Sequence, residues 1–152
     1  MLHVKRLDSK ATLPTVAHPG EDMGYDVYAL EPVWVYKWPC HVRTGIACSA
    51  YNPQPTFRES DCRRTGKLGL IIKDRSSMAK KGVFTHGGVI DAGYTGEIIV
   101  TLTHTGPAPY MVQAGDKIAQ MVPVPVLTGP VMEVSDLEMS DRRDKGFGSS
   151  GT

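Results

Sequence analysis

Hydrophobic and polar positions alternate with a period of two along three short runs of this chain, at residues 33–38, 68–73 and 98–103. Alternation at this period puts successive side chains on opposite faces of a β-strand, so each run predicts a strand. A fourth run, KIAQMVPVPV at residues 117–126, is also strand-like. Its two prolines lack the N–H group that a ladder needs, so we expect this strand to end at a sheet edge.

Helical periodicity is nearly missing from the chain. The one candidate is a single turn in SSMAKKG, which Gly82 would end. The 16 glycines and 11 prolines separate short strand-like runs, a pattern typical of β-sandwiches and barrels. A length of 152 residues indicates one domain. We therefore predict an all-β fold, a single-domain barrel or jelly-roll-like sandwich with almost no helix.

The stretch at residues 50–67 is polar and aperiodic, and it contains the charged sequence RESDCRR. It predicts a long surface loop within the domain rather than a domain boundary.

Composition narrows the classes of function. The 17 basic residues nearly balance the 16 acidic ones, which argues against a nucleic-acid partner. No stretch approaches the ~20 apolar residues of a membrane span, and the N-terminus lacks a signal sequence, so we expect a cytoplasmic protein with no membrane partner. The three cysteines form no C-x-x-C pair and the five histidines show no metal-ligand spacing. Free thiols in a reducing compartment are the expectation.

Four internal segments carry candidate chemistry, and each also has an ordinary structural explanation. Asp26 in MGYDVYAL lies within an apolar strand, where a carboxylate needs a partner such as an arginine. DRSSMAKKG offers a guanidinium and two hydroxyls, either for phosphate oxygens or as a capped surface turn. GGVIDAGYTGEI has the turn chemistry of a hairpin. In GDKIAQM, Gln120 is a polar amide among apolar neighbours that needs a partner.

The C-terminal sequence GFGSSG matches G-x-G-x-x-G, the spacing of a dinucleotide-binding loop. That loop needs a following helix, and we expect none here. The ordinary expectation for such a segment is a disordered terminus.

Taken in order, the segments MGYDVYAL, DRSSMAKKG, GGVIDAGYTGEI, GDKIAQM and RRDKGFGSSGT resemble the five motifs of the trimeric all-β dUTPase family. The resemblance spans residues 23–152. It implies hydrolysis of dUTP to dUMP and pyrophosphate by attack of water on the α-phosphorus, which keeps uracil out of DNA and supplies dUMP for dTTP synthesis. It also implies a homotrimer with shared active sites, a β domain at 1–140 and a mobile C-terminal lid at 141–152.

The resemblance implies a role for each motif residue. Asp91 matches the general base that deprotonates the attacking water, and Tyr94 matches the ring that packs on the deoxyribose. Asp26 matches a residue that holds the arginine or a water of Mg²⁺, a cofactor bound mainly by substrate phosphates and not directly by the protein. The remaining implied substrate-binding residues are Arg75, Ser76, Ser77 and Gln120 for the phosphates, Gly88, Val89 and Ile90 for uracil, and Arg142, Phe147, Gly148, Ser149 and Ser150 in the lid.

Two departures from the family pattern are visible, at Asp74 before the arginine and at Arg143 in the tail.

Two alternatives remain open. A dCTP deaminase of the same fold would need a glutamate where Thr101 stands, and it tends to have Trp or Phe in place of Tyr94. A non-catalytic regulatory module of the dUTPase type would have lost the base or the tail, and this sequence has both.

Overall fold

Eleven short β-strands and one helical turn make up the part of the protein that the computed structural model describes, residues 1–51 and 66–136. This confirms the predicted all-β class with almost no helix. The strands are β1 (Leu2–Arg6), β2 (Tyr25–Tyr28), β3 (Val33–Val35), β4 (Cys40–Arg43), β5 (Ile46–Tyr51), β6 (Lys67–Lys73), β7 (Val83–His86), β8 (Val89–Ile90), β9 (Ile99–His104), β10 (Tyr110–Val112) and β11 (Lys117–Pro125), and the helical turn is α1 (Ser76–Ala79).

Three antiparallel sheets surround a common core. The largest has the order β1-β5-β6-β11-β2, with β8 added to β6. A second sheet has the order β4-β9-β7, and β3 pairs with β10 in a third. Side chains from all three sheets contribute to one buried apolar cluster, which includes Val35, Val42, Ile46, Leu102 and Met121. No helix in residues 1–51 and 66–136 has the length and apolarity needed to cross a membrane.

Strand alternation was predicted well where the strand has one face in the core. In β9, Val100 and Leu102 are buried, whereas Ile99 and Thr101 face outward. The aromatic run at 33–38 forms a strand only as far as Val35, because the chain bends there toward β4. In that bend the rings of Tyr36 and Trp38 stack, with their centroids 4.6 Å apart.

The prolines of β11 occupy the part of the strand that has one neighbour. β11 pairs with β6 as far as Pro125, but its pairing with β2 stops at Met121. Pro123 and Pro125 therefore lie beyond the last β2 pair, where a missing N–H leaves no carbonyl of β2 unpaired. The predicted edge position of these prolines is confirmed.

The boundaries predicted for the 50–67 loop are wrong at both ends. Ala50 pairs with Leu68, and Tyr51 pairs with Lys67, so β5 and β6 extend their ladder into the predicted loop. Ala50 is also buried in the core, which favours strand over loop at that position. Residues 52–65 lie outside the described part of the chain.

Two consecutive glycines place β8 against β6. Gly87 and Gly88 both have positive φ angles, of 67° and 85°. The N–H of Ile72 donates to the carbonyl of Gly88 at 2.7 Å. A Cβ atom at Gly88 would lie 2.9 Å from the Ile72 carbonyl oxygen, whereas one at Gly87 would meet nothing within 4 Å. Close backbone approach therefore requires glycine at 88 in particular.

We predict that Gly88→Ala lowers the free energy of unfolding by about 1–3 kcal/mol more than Gly87→Ala does, because only the first adds a steric clash. Both substitutions carry the cost of a positive φ, so Gly87→Ala is the matched control. Urea unfolding of the two variants measures the difference. Equal losses would show that the contact with Ile72 does not constrain the hairpin.

Candidate functional site

A polar pocket of about 340 Å³ lies where the end of β6 and the start of α1 meet β11 and β2. We call it the β6–β11 pocket. Four of the residues predicted from the sequence line it, namely Asp26, Arg75, Ser76 and Gln120. The opposite wall is formed by residues 15–18 and 22–24, which precede β2.

The Asp26 carboxylate binds two cations in this pocket. Its Oδ1 accepts from Arg75 Nε at 2.7 Å, and its Oδ2 accepts from Lys117 Nζ at 2.8 Å. The side chain of Asp26 is only 20% exposed, so paired cations offset the cost of removing the carboxylate from water. The hydrogen bond and charge of Asp26 raise the pKa of Lys117. The carboxylate thereby fixes the orientation of both basic side chains.

Lys117 is a residue that the sequence reasoning missed. It lies in the same motif as Gln120, and β11 pairs with β2 so that Lys117 is opposite Tyr28 and Gln120 is opposite Asp26. A register shift between Lys117 and Ala119 accompanies this placement. Only the pairing of β2 with β11 brings Lys117 near Asp26, and hydrophobic periodicity does not predict which strands pair or in which register.

Gln120 and Asp74 connect the pocket to the neighbouring chain segments. Gln120 Nε2 donates to the Asp74 carbonyl at 2.9 Å. The Asp74 carboxylate accepts from both the backbone N–H and the hydroxyl of Thr85, at 2.6 and 2.7 Å. Asp74 is thus held against β7, which gives a physical reason for an acidic residue just before Arg75.

The helical turn α1 adds hydroxyl groups near the guanidinium. Arg75 is its N-cap and has extended backbone angles, and Ser76 lines the pocket. Arg75 Nη1 donates to Ser77 Oγ at 3.1 Å. With Nε bound to Asp26 and Nη1 bound to Ser77, the guanidinium is fixed by two neighbours and still lines the pocket.

The tight turn after β8, at residues 91–94, forms a second, separate pocket of about 180 Å³. The predicted two-stranded hairpin is wrong, because β8 pairs with β6 whereas β9 pairs with β4 and β7, so the strands that flank the turn lie in different sheets. We keep the name Asp91 hairpin for the turn itself and call the pocket the hairpin pocket. The carbonyl of Asp91 accepts from the Tyr94 N–H at 2.9 Å, which closes the turn. The Tyr94 ring lies over Gly96, where a Cβ atom would be 2.5 Å from the tyrosine hydroxyl oxygen. The lining residues are Val89, Ile90, Asp91, Tyr94, Glu97 and Ile99.

The two pockets share no lining residue. Within one chain, the structure therefore groups Asp26, Arg75, Ser76 and Gln120 in one pocket and Val89, Ile90, Asp91 and Tyr94 in the other. Gly88 holds the hairpin on β6, and Ser77 contacts Arg75. The predicted lid, residues 141–152, lies outside the described part of the chain, as do its predicted binding residues Arg142, Phe147, Gly148, Ser149 and Ser150.

Direct metal ligands are scarce in the part of the chain that the structure describes. No group of three or more His, Cys, Asp or Glu side chains gathers there in a metal-binding arrangement. Cys40 and Cys48 are free thiols, and burial raises the pKa of Cys48 to about 11, which makes it a poor ligand and nucleophile.

Thr101 is engaged by a neighbouring strand. Its Oγ1 lies 3.1 Å from His41 Nδ1, on the outward side of β9. Its side chain therefore offers a hydroxyl and not a carboxylate at this position.

Comparison with known proteins assigns the chain to a family. The family model "dUTPase" matches residues 9–151. The chain is 38% identical to the deoxyuridine 5'-triphosphate nucleotidohydrolase of Gloeobacter violaceus, over 97% of this chain and 95% of that protein. It is 36% identical to the enzyme of the same name from Clostridium acetobutylicum, over 99% of this chain and 96% of that protein.

Solved structures give the same result for the fold. A mutant dUTPase of Staphylococcus bacteriophage 80alpha, in complex with dUpNHpp, superposes with a TM-score of 0.79 and 25% identity. The match covers 100% of this chain and 99% of that one, and the two proteins share the jelly-roll-like β fold. From the extent of the family match and the identity to these relatives, this chain belongs to the dUTPase family.

Proposed function

We propose that this protein is a dUTP diphosphatase that hydrolyses dUTP to dUMP and pyrophosphate. The observation that carries the proposal is the full-length match to the dUTPase family, which includes the Asp91 hairpin and the Arg75 segment. The product dUMP serves dTTP synthesis, and removal of dUTP keeps uracil out of DNA. The reaction requires little covalent work from the protein, so catalysis rests on positioning and on charge stabilisation.

The β6–β11 pocket is the proposed triphosphate site. Arg75 presents a planar guanidinium whose paired N–H donors suit phosphate oxygens. The guanidinium is held in place by two hydrogen bonds, from Arg75 Nε to Asp26 Oδ1 at 2.7 Å and from Arg75 Nη1 to Ser77 Oγ at 3.1 Å. Ser76 and Gln120 line the same pocket and supply neutral hydrogen-bonding groups. Residues 142 and 147–150 of the tail are proposed to complete the contacts to phosphate and uracil.

Asp91 is the proposed general base, and Tyr94 is the proposed sugar contact. A carboxylate at the tip of a hairpin can take a proton from a water that attacks the α-phosphorus, an effect worth about 10²–10⁴-fold in rate. The Tyr94 ring beside it leaves no room for a 2′-hydroxyl and so favours deoxyribose. Backbone groups of Gly88, Val89 and Ile90 would recognise the uracil edge. Backbone N–H donors and C=O acceptors in fixed positions bind only a base whose own donors and acceptors are complementary to them.

Magnesium fits this chain as an ion that arrives with the substrate. Both oxygens of Asp26 are already bound to cations, so Asp26 is suited to hold Arg75 or a metal-bound water rather than the ion itself. Mg²⁺ usually keeps several waters and binds substrate phosphates, where it neutralises their charge.

We also propose a homotrimer in which the two pockets of each active site come from different subunits. The separation of Asp91 and Arg75 into pockets without a shared lining residue supports this arrangement. Apolar side chains border the hairpin pocket, with Val89 74% exposed and Ile99 45% exposed in the single chain. Exposed apolar groups of this kind are typical of surfaces that a partner covers.

The first test is a substrate panel of dUTP, UTP, dTTP and dCTP with Mg²⁺. We predict that kcat/KM for pyrophosphate release is at least about tenfold higher with dUTP than with any other member, because base and sugar are both selected. No ammonia should appear from dCTP, since Thr101 offers no carboxylate. Steady ammonia release would instead support the deaminase alternative, and comparable turnover of UTP would argue against the sugar contact.

The second test removes the base. Asp91→Asn should lower kcat at least about a hundredfold, because an amide can orient water but cannot accept its proton. Binding of a non-hydrolysable dUTP analogue should stay within about threefold of the parent protein, since the substitution is isosteric. The matched control is Asp8→Asn, a carboxylate that accepts from the Lys10 N–H in another turn. A fall in kcat of less than tenfold would assign the base to another residue.

The third test asks whether active sites are shared between subunits. Asp91→Asn and Arg75→Ala chains should each be inactive alone. Refolded together in equal amounts, they should recover roughly a quarter of the parent rate, because a random trimer pairs an intact hairpin with an intact phosphate pocket at that frequency. Absence of recovery, with trimers seen by light scattering, would place both halves of each site in one subunit.

A further inference from the structure

The hairpin that bears Asp91 and Tyr94 is anchored to the core at Glu97, a residue given no role above. The carboxylate Oε1 of Glu97 accepts from the backbone N–H of Gly45 at 2.9 Å. Both oxygens lie 3.2 Å from Arg43 Nε. The side chain is 19% exposed, so these contacts lie partly away from solvent, where screening is weaker.

The corner that receives Glu97 is rigid. Gly45 connects β4 and β5 with a φ of 68°, and a Cβ atom there would lie 2.9 Å from the Cβ of Ala11. The buried hydroxyl of Thr44 donates to the Ile98 carbonyl at 2.5 Å. The Ile98 N–H donates in turn to the Ile46 carbonyl at 2.8 Å. The segment after the hairpin is therefore fixed to this corner by backbone and side-chain bonds.

Glu97 also holds Tyr94 through its backbone. The Tyr94 hydroxyl donates to the Glu97 carbonyl at 3.0 Å, and the ring lies over Gly96. The height and tilt of the tyrosine ring are thus set by where the Glu97 backbone lies, and the Glu97 carboxylate sets that position against Gly45 and Arg43.

We propose that Glu97, with Arg43, is a positioning residue for sugar selection: it holds the Tyr94 ring at the height that excludes a 2′-hydroxyl. This inference rests on the proposed function, in which Tyr94 packs against deoxyribose. Steric exclusion requires a fixed ring, because a ring that can withdraw admits the larger sugar at little cost. Glu97 does not touch the substrate in this mechanism and acts only through Tyr94.

The experiment compares kcat/KM for dUTP and for UTP in Glu97→Ala, Glu97→Gln, Arg43→Met and the parent protein. Glu97→Ala should lower the dUTP-to-UTP preference at least about tenfold, the scale of one lost charge-assisted hydrogen bond, mainly through a better KM for UTP. Glu97→Gln keeps an oxygen for the Gly45 N–H and should stay within about threefold of the parent. Glu31→Ala, an exposed glutamate outside the hairpin, is the matched control.

A double-mutant cycle separates this role from a general loss of stability. Tyr94→Phe keeps the ring but removes the hydroxyl that bonds to the Glu97 carbonyl. If Glu97 acts through that bond, the effects of Glu97→Ala and Tyr94→Phe on the preference should be strongly non-additive. A merely structural glutamate would lower the melting temperature and leave the preference unchanged.

The outcomes keep the two proposals distinct. A parent protein without dUTP hydrolysis or without preference over UTP would overturn the proposed function. A selective parent whose preference changes less than twofold in Glu97→Ala would overturn the role of Glu97 alone. If Glu97→Ala does not fold, Arg43→Met replaces it, with an expected loss of about threefold or more in preference, because Met removes the donor that binds Glu97 whereas Glu97→Gln keeps an acceptor for it. An unchanged preference in that variant would also overturn the inference.

Discussion

The ladder of β6 is the constraint on which both pockets depend. One edge of this strand pairs with β11 along residues 68–73, and the other edge is divided between β5 and β8. Arg75 lies two residues beyond the end of β6, and Asp91 directly follows β8, which pairs with the edge of β6. Because a slip of one residue would exchange the two faces of the strand, the register that buries Leu70 and Ile72 also fixes both functional segments.

Electrostatics in the β6–β11 pocket follows from one partly buried group of charges in a nearly neutral protein. Asp26 would be costly alone on a strand of the sheet, and Arg75 and Lys117 would repel each other without it. Together the three groups carry one net positive charge, which Asp22 in the facing wall offsets for the pocket as a whole, and the Asp26 carboxylate orients both cations. A triphosphate would therefore meet cationic groups that are already positioned, so little ordering cost remains at binding.

Sequence patterns predicted the strands whose two faces differ, such as β9. A strand with one buried face alternates hydrophobic and polar residues, and this alternation is visible in the sequence. They failed at Tyr51 and Lys67, where backbone pairing rather than side-chain pattern holds the strand ends together. Motif order indicated Asp26, Arg75, Asp91 and Gln120. It could not indicate Lys117 or Glu97, because their partners are 91 and 52 residues away and depend on the register of the sheets.

In the proposed function the two pockets divide the substrate between them, with base and sugar at the hairpin pocket beside Asp91 and the triphosphate at the β6–β11 pocket. The hairpin pocket, with its Gly45 corner, is held by contacts within one chain, so under the proposed function it would select base and sugar by itself. The basic side chain of Arg75 in the β6–β11 pocket is held independently by Asp26. If each active site combines the two from different subunits, neither chain carries a complete site, and activity depends on assembly and therefore on protein concentration. Rigid halves suit this design, because the distance between them is then set by the subunit interface alone and not by local motion within either pocket.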